Sequence, residues 1–287
     1  MMTMAQTKKK VSVNDIIAMK GSERISVLTA YDYSTSLICD KAGVDVLLVG
    51  DSAGNVVLGY TSTVPVSMQE MTIFCGAVAR GVKRAMIVGD MPFGSYQPNP
   101  SVAVENAVQL VKAGCDAVKL EGGLETVDTV KAIVDAGIPV MGHIGLKPQT
   151  SSLWEGYKLQ GKTKDTAIRL IEDAKALEKA GVFSIVLEMV ASEVAEEITK
   201  SVSVPTIGIG SGTGCDGQVL VLHDMLGIYE GIKPRFVKRY AEISKSIFDA
   251  VSDYTREVKE GRFPEESNTF HMGPEELEKF RRAVNEK

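Results

Sequence analysis

Six side chains of acid–base or metal-ligating type stand at or near the ends of short apolar runs. The runs read VLLVGDS (46–52), MIVGDM (86–91), AVKLEGG (117–123), PVMGHIGL (139–146), SIVLEMV (184–190) and PTIGIGSG (205–212). Asp51, Asp90 and Glu121 close the first three. Three carboxylates brought together repel one another unless protons or a cation compensate. A hard divalent ion such as Mg²⁺ prefers oxygen ligands and leaves positions open for a substrate's oxygens. The alternative is that each carboxylate caps the helix following its strand. Lys119 and Glu121 are two apart on one strand and so face the same side, with Lys119 a layer deeper. There the lysine either balances the acids and holds an anionic substrate oxygen or forms a purely structural ion pair. Glu188 lies among apolar neighbours, where burial raises a carboxyl's pKa toward the range of a general base, a structural Glu–Lys pair being the other reading. His143 either assists proton traffic or simply packs.

These residues share a pocket only if the fold gathers the strand ends. The runs are rich in Val, Ile and Leu and do not alternate, as expected of strands covered on both faces. Helical stretches separate them at Ser67–Lys83, Ser101–Ala113, Glu125–Asp135 and Asp165–Lys179. In the last, Ala167, Leu170, Ile171, Ala174 and Leu177 make one apolar face. KAGVD (41–45), KAGCD (112–116), DAGIP (135–139) and KAGVF (179–183) each place a glycine where a helix stops before a strand. With ISVLTAYD (25–32) and QVLVLHDMLG (218–227), eight strands alternate with helices, which predicts a (β/α)8 TIM barrel. No G-x-G-x-x-G follows the first strand, which weakens a doubly wound sheet. The barrel is expected to form one domain over 1–287, with 262–287 as a C-terminal extension ending in a short helix, docked on a neighbouring subunit. Two long loops, 51–66 and 145–165, follow strand C-termini and read as walls or lids of the pocket. IGIGSGTGCDGQ (207–218) serves either as an anion cradle or as a site of close backbone packing, and the absence of a second glycine loop after strand eight favours packing.

A net charge of −5 and the lack of any basic run beyond Lys8–Lys10 argue against nucleic acid. No stretch of about 18 apolar residues exists for a membrane span. The lysines near the start have no apolar region behind them, which argues against a signal peptide. Cys39, Cys75, Cys115 and Cys215 are scattered, as buried free thiols of a cytoplasmic protein would be.

Several phrases together carry a resemblance: TAYDYSTS (29–36), LLVGDSAGNVVLGYTSTVPVS (47–67), GDMPFGSY (89–96), AVKLEGG, VMGHIGLKPQ (140–149), EGYKLQG (155–161), VLEMV (186–190), IGIGSG (207–212), DGQVLVLHDMLGI (216–228) and FPEESNTFH (263–271). From about residue 12 to 271 the chain resembles the ketopantoate hydroxymethyltransferase family. The resemblance implies a barrel of the phosphoenolpyruvate/pyruvate type, Mg²⁺ dependence and a large homo-oligomer, commonly a decamer. It implies transfer of a hydroxymethyl group from 5,10-methylenetetrahydrofolate to 3-methyl-2-oxobutanoate, giving ketopantoate for pantothenate biosynthesis through a Mg²⁺-stabilised enolate. On matching positions it implies Asp51, Asp90 and Glu121 as metal ligands. Asp51, Ser52, Asp90 and Lys119 would contact the 2-oxo acid, and Glu188 would accept the proton. GSGTGCDGQ (210–218) departs from the family's Gly-Ala-Gly followed by Asn, and the tail after His271 runs past the family's usual end. Two rivals stand beside this reading. One is a lyase of the isocitrate lyase class, whose Lys-Lys-Cys-Gly-His motif is absent here. The other is a non-catalytic barrel acting as scaffold or sensor.

Overall fold

A computed structural model describes residues 9–150, 158–231 and 234–286. Eight parallel strands close into a barrel in chain order: β1 (Ile25–Thr29), β2 (Val46–Val49), β3 (Met86–Asp90), β4 (Ala117–Glu121), β5 (Val140–Gly145), β6 (Ser184–Glu188), β7 (Thr206–Ile209) and β8 (Gly217–Leu220). Closure is made by β8 against β1, with Ile25 opposite Gly217 and Leu28 opposite Leu220.

Residue parity along each strand divides two cores. Leu47, Val49, Ile87, Val118, Leu120, Val140, Ile185 and Leu187 pack outward under the helices. Val46, Leu48, Met86, Val88, Ala117, Met141, Val186 and Ile207 fill the lumen, with Val11 and Ile16 in the same cluster. Asp90, Lys119, Glu121, His143 and Glu188 continue the lumen parity of their strands, two or four residues beyond these apolar side chains. The lumen is thus apolar at one end and ionisable at the other, as barrels with sites at strand C-termini require.

Helix boundaries follow their capping chemistry. The stretch expected at 67–83 is the helix Met68–Gly81, opened by a capping box between Ser67 and Glu70. Asn99 caps Pro100–Lys112, and Thr163 caps Lys164–Ala180. The glycines of the four repeated hinges, Gly43, Gly114, Gly137 and Gly181, all adopt left-handed φ between +86° and +112°. This conformation ends a helix cheaply only without a Cβ.

One predicted element is corrected. The run 218–227 is not a single strand: β8 stops at Leu220 and the helix Leu222–Leu226 follows, closed by left-handed Gly227. The Leu222 N–H leaves the ladder and donates to Thr29 Oγ1 at 2.9 Å, which turns the chain across the rim.

Chain contacts separate Met1–Tyr240 from a second compact unit, Ala241–Lys287, which includes the helix Ile243–Lys259. Within that unit, Tyr254 meets Phe263 edge-on at 5.5 Å between ring centres. Ile247, Phe248, Val251, Tyr254 and Val258 form an exposed apolar stripe on its first helix.

Candidate active site

The lumen parity of β3 to β6 brings the predicted residues together. Lys119 lies opposite Asp90 and His143 opposite Glu121 in the strand register. Lys119 Nζ stands 2.8 Å from Asp90 Oδ1 and 3.4 Å from His143 Nδ1. His143 is flanked by acids, with Nδ1 3.5 Å from Glu121 Oε1 and Nε2 3.3 Å from Glu188 Oε2. The loop after β2 brings in Asp51, whose N–H donates to Asp90 Oδ2 at 3.2 Å. Ser52 Oγ lies 2.8 Å from the hydroxyl of buried Tyr31, at the end of β1. None of the three acids Asp51, Asp90 and Glu121 caps a helix: the caps are Ser67 and Asn99, and the turn after β4 opens from Gly123 without a side-chain cap.

Electrostatics distinguishes the groups. Burial raises the Asp51 carboxyl to about 7, reinforced by the charge of Asp90 and opposed by Lys119. Burial lifts Glu121 well above the carboxylate range, partly opposed by Lys119. Glu188 is raised by burial to about 7, again opposed by Lys119. Burial disfavours the Lys119 ammonium, but Asp90, Glu121 and Asp51 outweigh that and hold it charged. Burial and the Lys119 charge keep His143 neutral. Lys119 is thus the one ammonium set against four carboxyls, and protons occupy positions a dication would otherwise neutralise.

Among the described residues, no three His, Cys, Asp or Glu side chains form a ready cage for a metal ion. Mg²⁺ does not need one, since it binds through one or two carboxylates together with waters and substrate oxygens. Asp90 Oδ1 fits such a role. It is buried and paired with the Lys119 ammonium at 2.8 Å, and a carboxylate oxygen has a second lone pair to offer a cation. His143 Nε2 is buried without a directed hydrogen bond despite its closeness to Glu188. An unsatisfied buried atom costs about 1–3 kcal/mol, and His143 Nε2 in this pocket fits a site shaped for a ligand.

The backbone at the base is shaped by close contacts. Gly145 has φ +96°, and a Cβ there would lie 2.3 Å from the carbonyl oxygen of Glu188. Met189, just after Glu188, has φ +47°, the one left-handed non-glycine residue among the described residues. Its N–H donates to Ile209 and its carbonyl accepts from Gln160, which hold the strained turn in place. The glycines of the β7 loop pack closely. Gly208 abuts Cys215 and Gln218, Gly210 abuts Phe236, and Gly212 abuts Ser192. All four cysteines are buried free thiols.

Gln149, fully buried, contributes to this pocket although neither its type nor its spacing pointed to it. Its side chain reaches Asp51 and its backbone reaches Glu121. The buried Tyr96 and Tyr31 likewise have no signature in local spacing. An amide or phenol in a polar loop carries no periodic signal, so only the three-dimensional contacts identify them. Of the long loop 145–165, residues 151–157, including Trp154, lie outside the described residues.

A sequence model of the ketopantoate hydroxymethyltransferase family matches residues 10–266. The chain belongs to this family. The 3-methyl-2-oxobutanoate hydroxymethyltransferase of Nitrosopumilus maritimus (strain SCM1) is 57% identical over 274 residues, covering 95% of this chain and 98% of the relative. That of Cenarchaeum symbiosum (strain A) is 59% identical over 254 residues, covering 88% and 96%. Family membership makes the chain an enzyme of the hydroxymethyltransferase class, which removes the scaffold reading. Among solved structures, phosphoenolpyruvate phosphomutase from Streptomyces platensis subsp. rosaceus shares the fold with a TM-score of 0.59 at 14% identity, covering 96% of each chain. A phosphonopyruvate hydrolase complex with oxalate and Mg++ has a TM-score of 0.56 at 14% identity, covering 96% of this chain and 99% of that one. Such distant likeness bears on the fold alone, a barrel of the phosphoenolpyruvate mutase type.

Proposed function

We propose that this hydroxymethyltransferase converts 3-methyl-2-oxobutanoate to ketopantoate in pantothenate biosynthesis, with 5,10-methylenetetrahydrofolate as donor and Mg²⁺ as cofactor. The observation that carries the reading is that His143 joins Glu188, raised to about 7, to Lys119, lying 3.3 Å from the first and 3.4 Å from the second. A base that is half ionised near neutrality thus shares a pocket with an ammonium able to receive an oxyanion.

Asp51, Asp90 and Glu121 would hold Mg²⁺, and the burial of these acids together around the Lys119 ammonium supports this. The oxalate and Mg++ named for phosphonopyruvate hydrolase, a protein of the same fold, support it further. When bound, the ion supplies Lewis-acid polarisation of the keto group and offsets the surplus carboxylate charge. Ser52, held by Tyr31, and Lys119 bind the oxo acid. Glu188 removes the C3 proton, while the Lys119 ammonium stabilises the charge that develops on the keto oxygen. Neutral His143 stands beside the Glu188 carboxyl, its Nε2 3.3 Å from Oε2. Water cleaves the donor's two methylene C–N bonds, releasing tetrahydrofolate and formaldehyde. The C3 carbanion equivalent adds to the formaldehyde carbon, whose oxygen takes up a proton to become the product's hydroxyl.

The chain acts in the cytoplasm as a homo-oligomer, a decamer in this reading. No described helix is long and apolar enough to cross a membrane, and the apolar stripe of Ile243–Lys259 suits a protein–protein contact. A coupled assay of tetrahydrofolate formation from the two substrates, run with Mg²⁺ and again with EDTA, tests the reading. Turnover that persists unchanged in EDTA would overturn the metal assignment, and lack of turnover with Mg²⁺ would overturn the substrates.

A further inference from the structure

The loop after β5 sends one side chain, Gln149, into the centre of the acid cluster, and every polar atom it carries there is engaged. Its Nε2 donates to Asp51 Oδ2 at 2.9 Å and to the Met91 carbonyl at 2.9 Å. Its Oε1 accepts from the Tyr96 hydroxyl at 2.8 Å. Its backbone N–H donates to Glu121 Oε2 at 3.2 Å. The side chain has no exposure to solvent.

This pattern favours one orientation of the amide. A flipped carboxamide would set its oxygen against the Met91 carbonyl and turn its NH2 toward the Gln97 Nε2 group that donates to Oε1 at 3.5 Å. Tyr96 enforces the choice, because its phenol proton is given to Gln149 Oε1 while its oxygen accepts the Glu121 N–H at 3.3 Å. The β3–α loop carrying Tyr96 and the β5 loop carrying Gln149 therefore meet over the ends of β2 to β4. Asp51 has two oxygens. With Oδ2 taken by the amide, Oδ1 is the one left for a ligand.

We infer that Gln149 is a positioning residue, whose carboxamide, oriented by Tyr96, fixes the Asp51 carboxylate so that one oxygen is presented to the 2-oxo acid and its cation. The inference rests on the proposed function for the identity of the ligand, but the geometry that carries it lies wholly among side chains of this chain.

The test is a double-mutant cycle of Gln149→Leu and Tyr96→Phe, read in two ways. Calorimetric titration with 3-methyl-2-oxobutanoate in the presence of Mg²⁺ gives affinity without turnover, and steady-state assays give KM and kcat separately. Gln149→Leu is expected to weaken oxo-acid affinity and raise its KM about tenfold to a hundredfold, the loss expected for a hydrogen bond to a charged group. Tyr96→Phe, which keeps the amide and its bonds to Asp51 and Met91 but removes the hydroxyl that donates to Oε1, should produce a smaller loss in the same quantities. The double variant should lose less than the two single variants together, because the Tyr96 hydroxyl donates to Gln149 and its only other bond is the longer one from the Glu121 N–H. A merely structural role predicts a lower melting temperature with affinity and KM unchanged in the folded protein, and that result overturns the inference. Additive losses in the cycle would do so as well. Should Gln149→Leu fail to fold, Tyr96→Phe with unaltered affinity is sufficient to overturn it. A wild-type chain that binds the oxo acid yet forms no ketopantoate would sink the functional reading alone, and the affinity comparison would still decide the role of Gln149.

Discussion

Replacing Glu188 with Gln should disable the enzyme and stabilise the protein at the same time. Burial raises this carboxyl from 4.5 to about 7 in the folded chain. The folded state therefore retains a proton that the unfolded state releases between those values. Below about pH 4.5 both states are protonated and Glu188 carries no penalty. As the pH rises through 7 the folded state must hold a desolvated anion, so stability falls across that window. At about 1.36 kcal/mol per pH unit, the interval corresponds to about 3 kcal/mol above pH 7. The side chain is 17% exposed, and solvent trims the figure toward about 2 kcal/mol. Gln keeps the shape and cannot ionise. Urea denaturation of the metal-free proteins, at equal chain concentration, should show the variant about 2–3 kcal/mol more stable at pH 8 and nearly equal to wild type at pH 4.5. Deuterium exchange at C3 of 3-methyl-2-oxobutanoate, followed by NMR, should fall about 10²- to 10⁴-fold, the usual share of a general base. A variant less stable than wild type at pH 8, or a stability gap that does not change with pH, would refute the desolvation argument. Wild-type exchange would refute the assignment of the base.

Three further outcomes follow from the same geometry. The wild-type rate of C3 exchange at subsaturating substrate should drop about tenfold per pH unit below about 7, since Glu188 must be ionised to accept a proton; a flat profile from pH 5 to 8 counts against it. Lys119→Met leaves Asp90 buried without its partner at 2.8 Å and should cost about 3–5 kcal/mol in urea denaturation at pH 8, whereas a loss under about 1 kcal/mol would show that the ion pair does not support the barrel end. Gly145→Ala combines an unfavourable φ of +96° with a Cβ 2.3 Å from the Glu188 carbonyl oxygen, so about 2 kcal/mol or more of stability should be lost and C3 exchange slowed together; an unchanged melting temperature would contradict the backbone constraint.

Much of the site was legible because a parallel barrel converts a linear pattern into a shared place. Asp90, Glu121 and Glu188 each end a buried strand, and strand parity alone turns Lys119 and Glu121 to one side. Legibility failed where the contacts cross between loops. Gln149 and Tyr96 are polar residues 53 positions apart, joined by a hydrogen bond that no local spacing encodes. It also failed at β8, where the apolar VLVL (219–222) and the following HDMLG read as one strand. The bond from Leu222 to Thr29, distant in sequence, turns that run into a strand followed by a helix.

By itself, the sequence determined the eight-fold alternation, the hinge glycines, the family and the residue types at the strand ends. These are properties of local pattern, fixed by side-chain periodicity and the backbone freedom of glycine. Tertiary structure decided the rest. The register of β4 between β3 and β5 sets Lys119 against Asp90 and His143 against Glu121. Closure of the barrel buries four carboxyls around one ammonium and raises Asp51, Glu121 and Glu188 above their ordinary range. Distances between strands and exclusion of water exist only once the chain has folded, and they turn a set of ordinary acids into a base and a binding site.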